Sequence, residues 1–314
     1  MLKLKPDFWD LKKPNLFSYL FQPLTIPIRI NNYLLNIKKK FKTKKVKTIC
    51  VGNIYIGGTG KTPTTIKLFD ILSKISRKVF TAKKFYQYQS DEAKMLKKHT
   101  DYLTSDSRRE IINIAIRKKA KIIIFDDGLQ DKNIDYDLKL VCFDSISWIG
   151  NAQLIPSGPL REKLNSLKKY DVIFLKHINK KNNKIIRLIK QINPKIEVFN
   201  TKYRIKNSNK FNFKKKFIAF SGIGNPENFI ELLKKNKFKI IRNIIFPDHY
   251  KYNKEDIINL IKKSKKLKTQ LITTEKDFIK IPKSYHKHIK YIKIDLEIEK
   301  LQKFIKYLKI KINE

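Results

Sequence analysis

Residues 51–63 read VGNIYIGGTGKTP, and this stretch decides the fold. The apolar residues 48–51 lead into it with strand character, and residues 64–73 after it suit a helix. Between them lies a glycine-rich turn that ends in Gly60-Lys61-Thr62. A strand, such a turn and a helix in that order form the setting of a phosphate-binding loop. Lacking Cβ atoms, glycines allow backbone N–H groups to close around phosphate oxygens. The helix N-terminus adds partial positive charge. Gly57, Gly58, Thr59, Gly60, Lys61 and Thr62 are therefore the candidate nucleotide-binding residues. The Lys61 ammonium is expected on the β- and γ-phosphates, and the Thr62 hydroxyl on Mg²⁺. The standard pattern wants a glycine five residues before Gly60, where this chain has Tyr55. A plain glycine turn with an incidental lysine would be the simpler reading, but three coincident signals argue against it.

A second chemical signal follows the apolar run KIIIF at 121–125: Asp126-Asp127-Gly128. In P-loop proteins an aspartate at the end of a parallel strand holds Mg²⁺, directly or through water. Ligands of open α/β sheets also bind at those strand ends. Adjacent aspartates repel unless a cation offsets them. An ordinary Asp-Gly turn is the alternative. With a phosphate loop upstream, Asp126 and Asp127 are the better metal candidates.

The 314 residues leave room for two domains, and 41% hydrophobic content points to a folded chain. Cys50 and Cys142 lie in apolar strand segments and read as core residues of a reducing compartment. The formal net charge of +43 raises the question of nucleic acid. Lysine dominates it, however, and is spread along the chain among Ile and Asn, with no nucleic-acid motif. No nucleic acid and no protein partner is expected; an anionic membrane surface would gain from the field. Residues 1–13 do not resemble a signal peptide. Residues 16–37 are apolar but interrupted by Pro23, Pro27, Arg29, Asn31 and Asn32, a poor spanning helix. Followed by three lysines, they read as an interfacial anchor, with an amphipathic helix packed on the domain as the competing reading.

Further along, βα alternation predicts strands at 78–82, 121–125, 138–143 and 171–175, with helices at 63–73, 91–99 and 107–117. A second run predicts strands at 217–220, 239–245 and 270–273, with helices at 226–235, 254–265 and 296–310. The fold class expected is α/β: a P-loop NTPase-like parallel sheet domain, a second, smaller α/β domain and an N-terminal amphipathic membrane-associating helix. The boundaries expected are 1–40 for the membrane-associating segment, 41–201 for the P-loop domain, 202–216 for a polar linker and 217–314 for the C-terminal domain.

Two clusters look unlike scaffold. GNAQLIPSGPLRE at 150–162 packs turn formers around Arg161-Glu162, and FPDHY at 246–250 sets His249 beside Pro-Asp. A lone histidine is usually structural, but in that setting it is a credible partner of a general base.

Together these pieces resemble the tetraacyldisaccharide 4′-kinase family. The matching segments are VGNIYIGGTGKTP, SDEA at 90–93, DDGLQ, GNAQLIPSGPLRE, FSGIGNPENF at 220–229, FPDHY and TTEKD at 273–277. They keep the family's order over roughly residues 48–280, which is far more specific than a lone phosphate loop. The family's loop also lacks the first standard glycine. The resemblance implies transfer of the ATP γ-phosphoryl to the 4′-hydroxyl of a lipid A disaccharide precursor, at the cytoplasmic face of a bacterial inner membrane. It implies ATP and Mg²⁺ as cofactors, Asp91 as the catalytic base and His249 as its tuning partner. Lys61 then acts on the phosphates, and Glu92, Arg161 and Glu162 lie at the substrate side or active-site rim. It further implies a site divided between two domains, hinged at 202–216.

Departures from the family pattern are Ala82-Lys83-Lys84-Phe85 in place of a Ser-Arg-Gly-Tyr-like stretch, a shorter segment before Asp91, and Asp131 in place of a histidine. A family arginine corresponds to Arg108 or Arg109. Two other readings compete. One is a P-loop ATPase or switch protein that binds nucleic acid through its lysines, which leaves PSGPLRE and FPDHY unexplained. The other is a non-catalytic membrane scaffold, which the full set of catalytic residue types disfavours.

Overall fold

The computed structural model describes residues 5–37, 40–86, 90–131, 133–177 and 182–313. In chain order its strands are β1 (Lys47–Gly52), β2 (Val79–Lys84), β3 (Tyr102–Ser105), β4 (Ile122–Asp126), β5 (Leu138–Asp144), β6 (Val172–Lys176), β7 (Glu197–Ile205), β8 (Lys216–Ser221), β9 (Lys239–Ile245), β10 (Gln270–Thr274), β11 (Ile289–Ile292) and β12 (Ile294–Ile298). Its helices are α1 (Leu16–Leu20), α2 (Ile26–Ile37), α3 (Lys61–Leu72), α4 (Ser90–His99), α5 (Arg108–Arg117), α6 (Asn183–Ile192), α7 (Pro226–Lys235), α8 (Lys254–Lys266), α9 (Glu275–Phe278) and α10 (Leu301–Asn313).

Two compact units result. The larger takes Lys5–Tyr86, His99–Lys202 and Glu297–Glu314. Its sheet has the order β12-β7-β6-β5-β1-β4-β2-β3, and the pairs from β3 through to β7 are parallel. A parallel sheet is covered on both faces, so its strands read as continuous apolar runs. Side chains alternate between faces. Ile49, Val51, Ile122 and Ile124 pack on one face with Leu68 of α3 and Phe304 of α10. Cys50, Ile123 and Phe125 pack on the other with Ile111 and Ala115 of α5. Cys50 and Cys142 are both buried, unbridged core residues. The register sets Val51 of β1 beside Asp126 of β4. The strand that launches the glycine loop is thereby neighbour to the strand that ends in the acidic pair.

The smaller unit joins Gln87–Lys98 to Tyr203–Leu296. Its four strands run parallel in the order β11-β10-β8-β9. The apolar residues of β8 fill cores on both faces, Phe217 and Ala219 on one, Ile218 and Phe220 on the other. Helix α4 lies early in the chain, yet its contacts put nearly all of it in this unit.

Three differences from the sequence pattern have simple causes. The helix expected at 296–310 starts later: Ile294–Ile298 form β12, and α10 begins at Leu301. Strand and helix adjoin there, and a short apolar run does not separate the two. Polar residues at alternate positions hide β7, whose end takes up Lys202–Ile205 of the polar stretch. Residues 16–37 form two short helices around a 3₁₀ turn at Pro23–Thr25 rather than one helix, because Pro23 cannot continue α1. Among the described residues no helix is long and apolar enough to cross a membrane.

The polar side of that N-terminal segment docks on the 150–161 loop within the larger unit. Asn151 donates to Ser18 Oγ at 2.8 Å, Ser157 donates to the Ser18 carbonyl, Trp9 Nε1 donates to the Pro156 carbonyl at 2.9 Å, and Asn32 donates to the Arg161 carbonyl at 3.2 Å. Its apolar side faces outward: Leu16 is 80% exposed, Leu20 69% and Tyr33 68%.

Candidate active site

The glycine loop is held by its own backbone and by the 154–161 segment. Gly57 (φ 138°) and Gly60 (φ 89°) adopt left-handed conformations that favour glycine. Gly60 caps α3, whose first residues are Lys61 and Thr62. Asn53 donates to Thr59 Oγ1 at 3.0 Å. Ile56 N donates to the Pro159 carbonyl at 2.8 Å, and Arg161 N to the Ile54 carbonyl at 2.7 Å. Tyr55 bridges to Leu160, is only 2% exposed, and packs on Leu154 and Leu160. Its hydroxyl donates to Asp10 at 2.6 Å, and Lys5 also reaches it. A side chain buried in this way explains why no glycine is needed there: the backbone at 55 pairs with a neighbouring segment and keeps an ordinary φ.

Asp126 is fully buried at the end of β4. Thr62 Oγ1 donates to Asp126 Oδ2 at 3.0 Å and Thr65 Oγ1 to Oδ1 at 3.1 Å, from one face of α3. Lys83 Nζ, itself buried on β2, lies 3.4 Å from Oδ2. Asp127 adopts a left-handed conformation (φ 60°), which is uncommon for a residue with a side chain. It faces Lys61 Nζ at 3.9 Å and Arg161 Nη1 at 3.1 Å. Burial alone would raise the Asp127 carboxyl, but Lys61, Arg161, Lys83 and Arg108 outweigh it and hold it down at about 2.

Arg108, rather than Arg109, reaches this loop. It donates to the Asp127 carbonyl at 2.6 Å and to Asp131 at 2.9 Å, whereas Arg109 lies over the Phe41 ring. Asp131 thus replaces the family histidine with an anchor for the arginine. Gly128 is tightly enclosed: a Cβ there would meet Tyr136 Oη at 2.7 Å and Cys50 Sγ at 2.9 Å. Arg161 also donates to Gln130 at 3.0 Å, and Gln130 and Tyr170 both donate to the buried Glu162, at 3.2 and 3.0 Å.

Oxygen donors suit magnesium, which takes one or two carboxylates and completes its shell with phosphates and water. The Thr62 hydroxyl and the Asp126 carboxylate, with Asp127 alongside, are donors of that kind. Among the described residues no cluster of three or more His, Cys, Asp or Glu side chains forms a protein-only metal cage.

A second constellation lies within the smaller unit. Asp91 and Glu92 occupy the first turn of α4, where a helix favours negative charge. His249 Nδ1 is 3.0 Å from each Asp91 oxygen. His249 is another left-handed residue (φ 59°), and its amide donates to Asp248 at 2.9 Å. Lys276 Nζ lies 3.4 Å from Asp91, 3.7 Å from Glu92 and 3.7 Å from Asp248. Burial would raise the Asp91 carboxyl, yet the His249 hydrogen bond and the Lys276 charge hold it well below the usual carboxylate range.

All the residues expected from the sequence fall into these two groups: Gly57 to Thr62, Asp126, Asp127, Arg161 and Glu162 in the larger unit, and Asp91, Glu92 and His249 in the smaller. Residue types alone do not single out Lys83, Thr65, Gln130, Tyr170 or Lys276. Gln130 and Lys276 lie inside the DDGLQ and TTEKD segments, and Thr65 follows Thr62 at helical spacing, so those three had a sequence signal.

A glycine-rich loop between β1 and α3, with an aspartate at the tip of the adjacent parallel strand, defines a P-loop nucleotide-binding protein. The chain matches the family model "Tetraacyldisaccharide-1-P 4′-kinase" (LpxK) over residues 15–90 and 76–313, and it belongs to that kinase family. It is 44% identical over 310 residues to a tetraacyldisaccharide 4′-kinase of Pelagibacter ubique, covering 99% of this chain and 98% of that one. With a tetraacyldisaccharide 4′-kinase of Rickettsia akari it shares 35% identity over 298 residues, 89% of each chain. A crystal structure of LpxK from Aquifex aeolicus, in complex with ATP, has the same fold: TM-score 0.67 at 23% identity, covering 94% of this chain and 97% of that one. The reading as a nucleic-acid-binding switch gains nothing from these relatives.

Proposed function

We propose that this chain is an ATP-dependent kinase that phosphorylates the 4′-hydroxyl of a tetraacyldisaccharide 1-phosphate, a step of lipid A biosynthesis. The observation that carries this reading is the near full-length match at 44% identity to a tetraacyldisaccharide 4′-kinase. The glycine loop binds the ATP phosphates through backbone N–H groups, with the Lys61 ammonium on the β- and γ-oxygens. Thr62, Asp126 and Asp127 would hold Mg²⁺, which supplies charge neutralisation on the phosphates. Arg161 adds a guanidinium at Asp127, a fork suited to phosphate oxygens. Asp91 takes the proton from the acceptor hydroxyl, with His249 orienting its carboxylate. Glu92 flanks Asp91 within the smaller unit, and Glu162 holds Gln130 beside Arg161 within the larger. Phosphoryl transfer depends mainly on positioning and charge stabilisation, and the two constellations supply both kinds of group.

Incubation with the tetraacylated disaccharide 1-phosphate in mixed micelles and γ-labelled ATP is expected to yield the 4′-phosphorylated lipid, and EDTA is expected to abolish it. Absence of label in the lipid with Mg²⁺ present would overturn the reading.

The same reading places the protein peripherally on the cytoplasmic face of a bacterial inner membrane. Support comes from the outward apolar side of α1 and α2 and from the basic composition. Charging that face by Leu20→Glu with Tyr33→Glu is expected to weaken association with phosphatidylglycerol vesicles at least about tenfold, since each lost apolar insertion is worth roughly 1.5–3 kcal/mol. Both side chains are exposed, so the melting temperature should not move. Unchanged sedimentation with vesicles would remove the anchor from this segment.

A further inference from the structure

We infer that Lys276 is a positioning residue for the phosphoryl-transfer step, its ammonium fixing the Asp91 carboxylate against the two acidic side chains that flank it. The inference rests on Asp91 being the base that takes up the hydroxyl proton.

Three carboxylates surround one histidine in the smaller unit. Asp91 meets His249 Nδ1, while His249 Nε2 is 4.0 Å from Glu92 and 3.8 Å from Asp248. Without a nearby cation the three would repel one another and compete for the imidazole, and Asp91 would have no preferred partner. Lys276 supplies that cation. Its Nζ reaches all three carboxylates and is closest to Asp91. Burial alone would lower the Lys276 ammonium; Glu92, Asp248, Asp91 and Asp277 reverse this and hold it above the usual lysine value.

The backbone that carries Lys276 is tied down on both sides. Thr274 caps α9 by accepting from Asp277 N at 3.0 Å and donates to Asp277 Oδ2 at 2.8 Å. The same oxygen of Asp277 accepts from Gly222 N at 3.1 Å, and its other oxygen pairs with Lys280 at 2.7 Å. Lys98 of α4 pairs with Glu275 of α9. Asp91 and Lys98 are seven residues apart, two helical turns on one face of α4. They meet Lys276 and Glu275, which are adjacent on α9, with the signs matched. Two pairs of opposite order fix the register of α4 on α9, and with it the direction of the Asp91 carboxylate. A 1 Å displacement of a base at such a site is enough to lower turnover about a hundredfold.

The test uses the full-length enzyme, with kcat and the KM for ATP measured on the disaccharide lipid. In Lys276→Cys, kcat is expected to fall about 30- to 100-fold while the KM for ATP changes less than about threefold. Treatment with 2-bromoethylamine then turns the cysteine into a thioether that carries an ammonium at lysine's reach. Lys276 is 23% exposed in its side chain and open to the reagent. Cys50 and Cys142 are buried, and burial pushes the Cys142 thiol up to about 12, so both stay inert. The aminoethylated enzyme is expected to recover at least about a third of wild-type kcat. Lys276→Arg, which keeps the charge but not the reach, is expected to fall between and serves if the cysteine variant does not fold. A kcat within threefold of wild type in Lys276→Cys, or no recovery on aminoethylation of a folded variant, would overturn the inference. Asp91→Asn, assayed in parallel, separates the two layers. If it keeps turnover, the base assignment fails and this inference with it; if it loses turnover while Lys276→Cys does not, only this inference fails.

Discussion

Asp91→Asn is expected to lower kcat about a thousandfold with little change in the KM for ATP, the size general-base removal usually has. The asparagine keeps the shape and can still accept from Glu92 N, which now donates to Asp91 at 2.9 Å. What it loses is charge and proton affinity. A carboxylate held so far below its usual range is a weak base, which looks like a poor choice for the role. The loose transition state of phosphoryl transfer resolves this, because the hydroxyl surrenders its proton late and needs an oriented acceptor more than a strong one. The depressed value also keeps Asp91 ionised across the working range, so in wild type no acid limb from this group is expected between about pH 5 and 8. His249→Gln, which leaves Asp91 with Lys276, is expected to cost less, about 10- to 100-fold in kcat. Steady-state kinetics with both variants folded checks the ranking. An Asp91→Asn enzyme within tenfold of wild type would remove Asp91 from the chemistry.

Much of this was legible in the chain, and the reasons are local. The glycines at 57, 58 and 60, the Lys61-Thr62 pair and the aspartates after KIIIF announce themselves, because strand, turn and helix signals all fall within a few residues. Alternation of strands and helices announces a parallel sheet, but not the strand order that brings Asp126 of β4 beside Val51 of β1. Contacts between residues distant in sequence are different. Nothing in the pattern of 79–84 says that Lys83 points into the core toward Asp126, since a lysine on a half-apolar strand is usually solvated. Arg108 and Arg109 are equivalent in sequence and become distinct only when helix α5 turns one toward Asp131 and the other toward Phe41. Tyr55 looked like a defect in a loop and is instead a buried anchor whose hydroxyl reaches the N-terminal segment. Strands β7 and β12 stay hidden because polar residues interrupt one and the other is too short to tell from the helix that follows.

Asp126→Ala is expected to be the most damaging single change in the larger unit, because it removes a proposed metal ligand and a carboxylate that faces a buried lysine ammonium. Lys83 is 1% exposed and Asp126 0%, with Nζ and Oδ2 3.4 Å apart. Breaking a buried pair by deleting one partner costs about 3–5 kcal/mol, most of it the uncompensated charge left behind. For a unit of this size that corresponds to a fall in melting temperature on the order of 10 °C. Transfer should be undetectable, since phosphate and metal would lose their acidic anchor. The two losses can be separated. Adding Lys83→Met to Asp126→Ala takes away the buried ammonium and replaces it with an unbranched apolar chain of similar length. The double variant is expected to regain most of the melting temperature and none of the activity. Calorimetry of wild type, both single variants and the double closes a thermodynamic cycle, and a coupling of about 2 kcal/mol or more is the expected signature of the pair. A double variant as unstable as Asp126→Ala would mean that the cost lies in the lost Thr62 and Thr65 hydrogen bonds rather than in Lys83. Stability would then come from the threonine bonds alone, and the buried lysine at 83 would have to be explained by something other than the charge of Asp126.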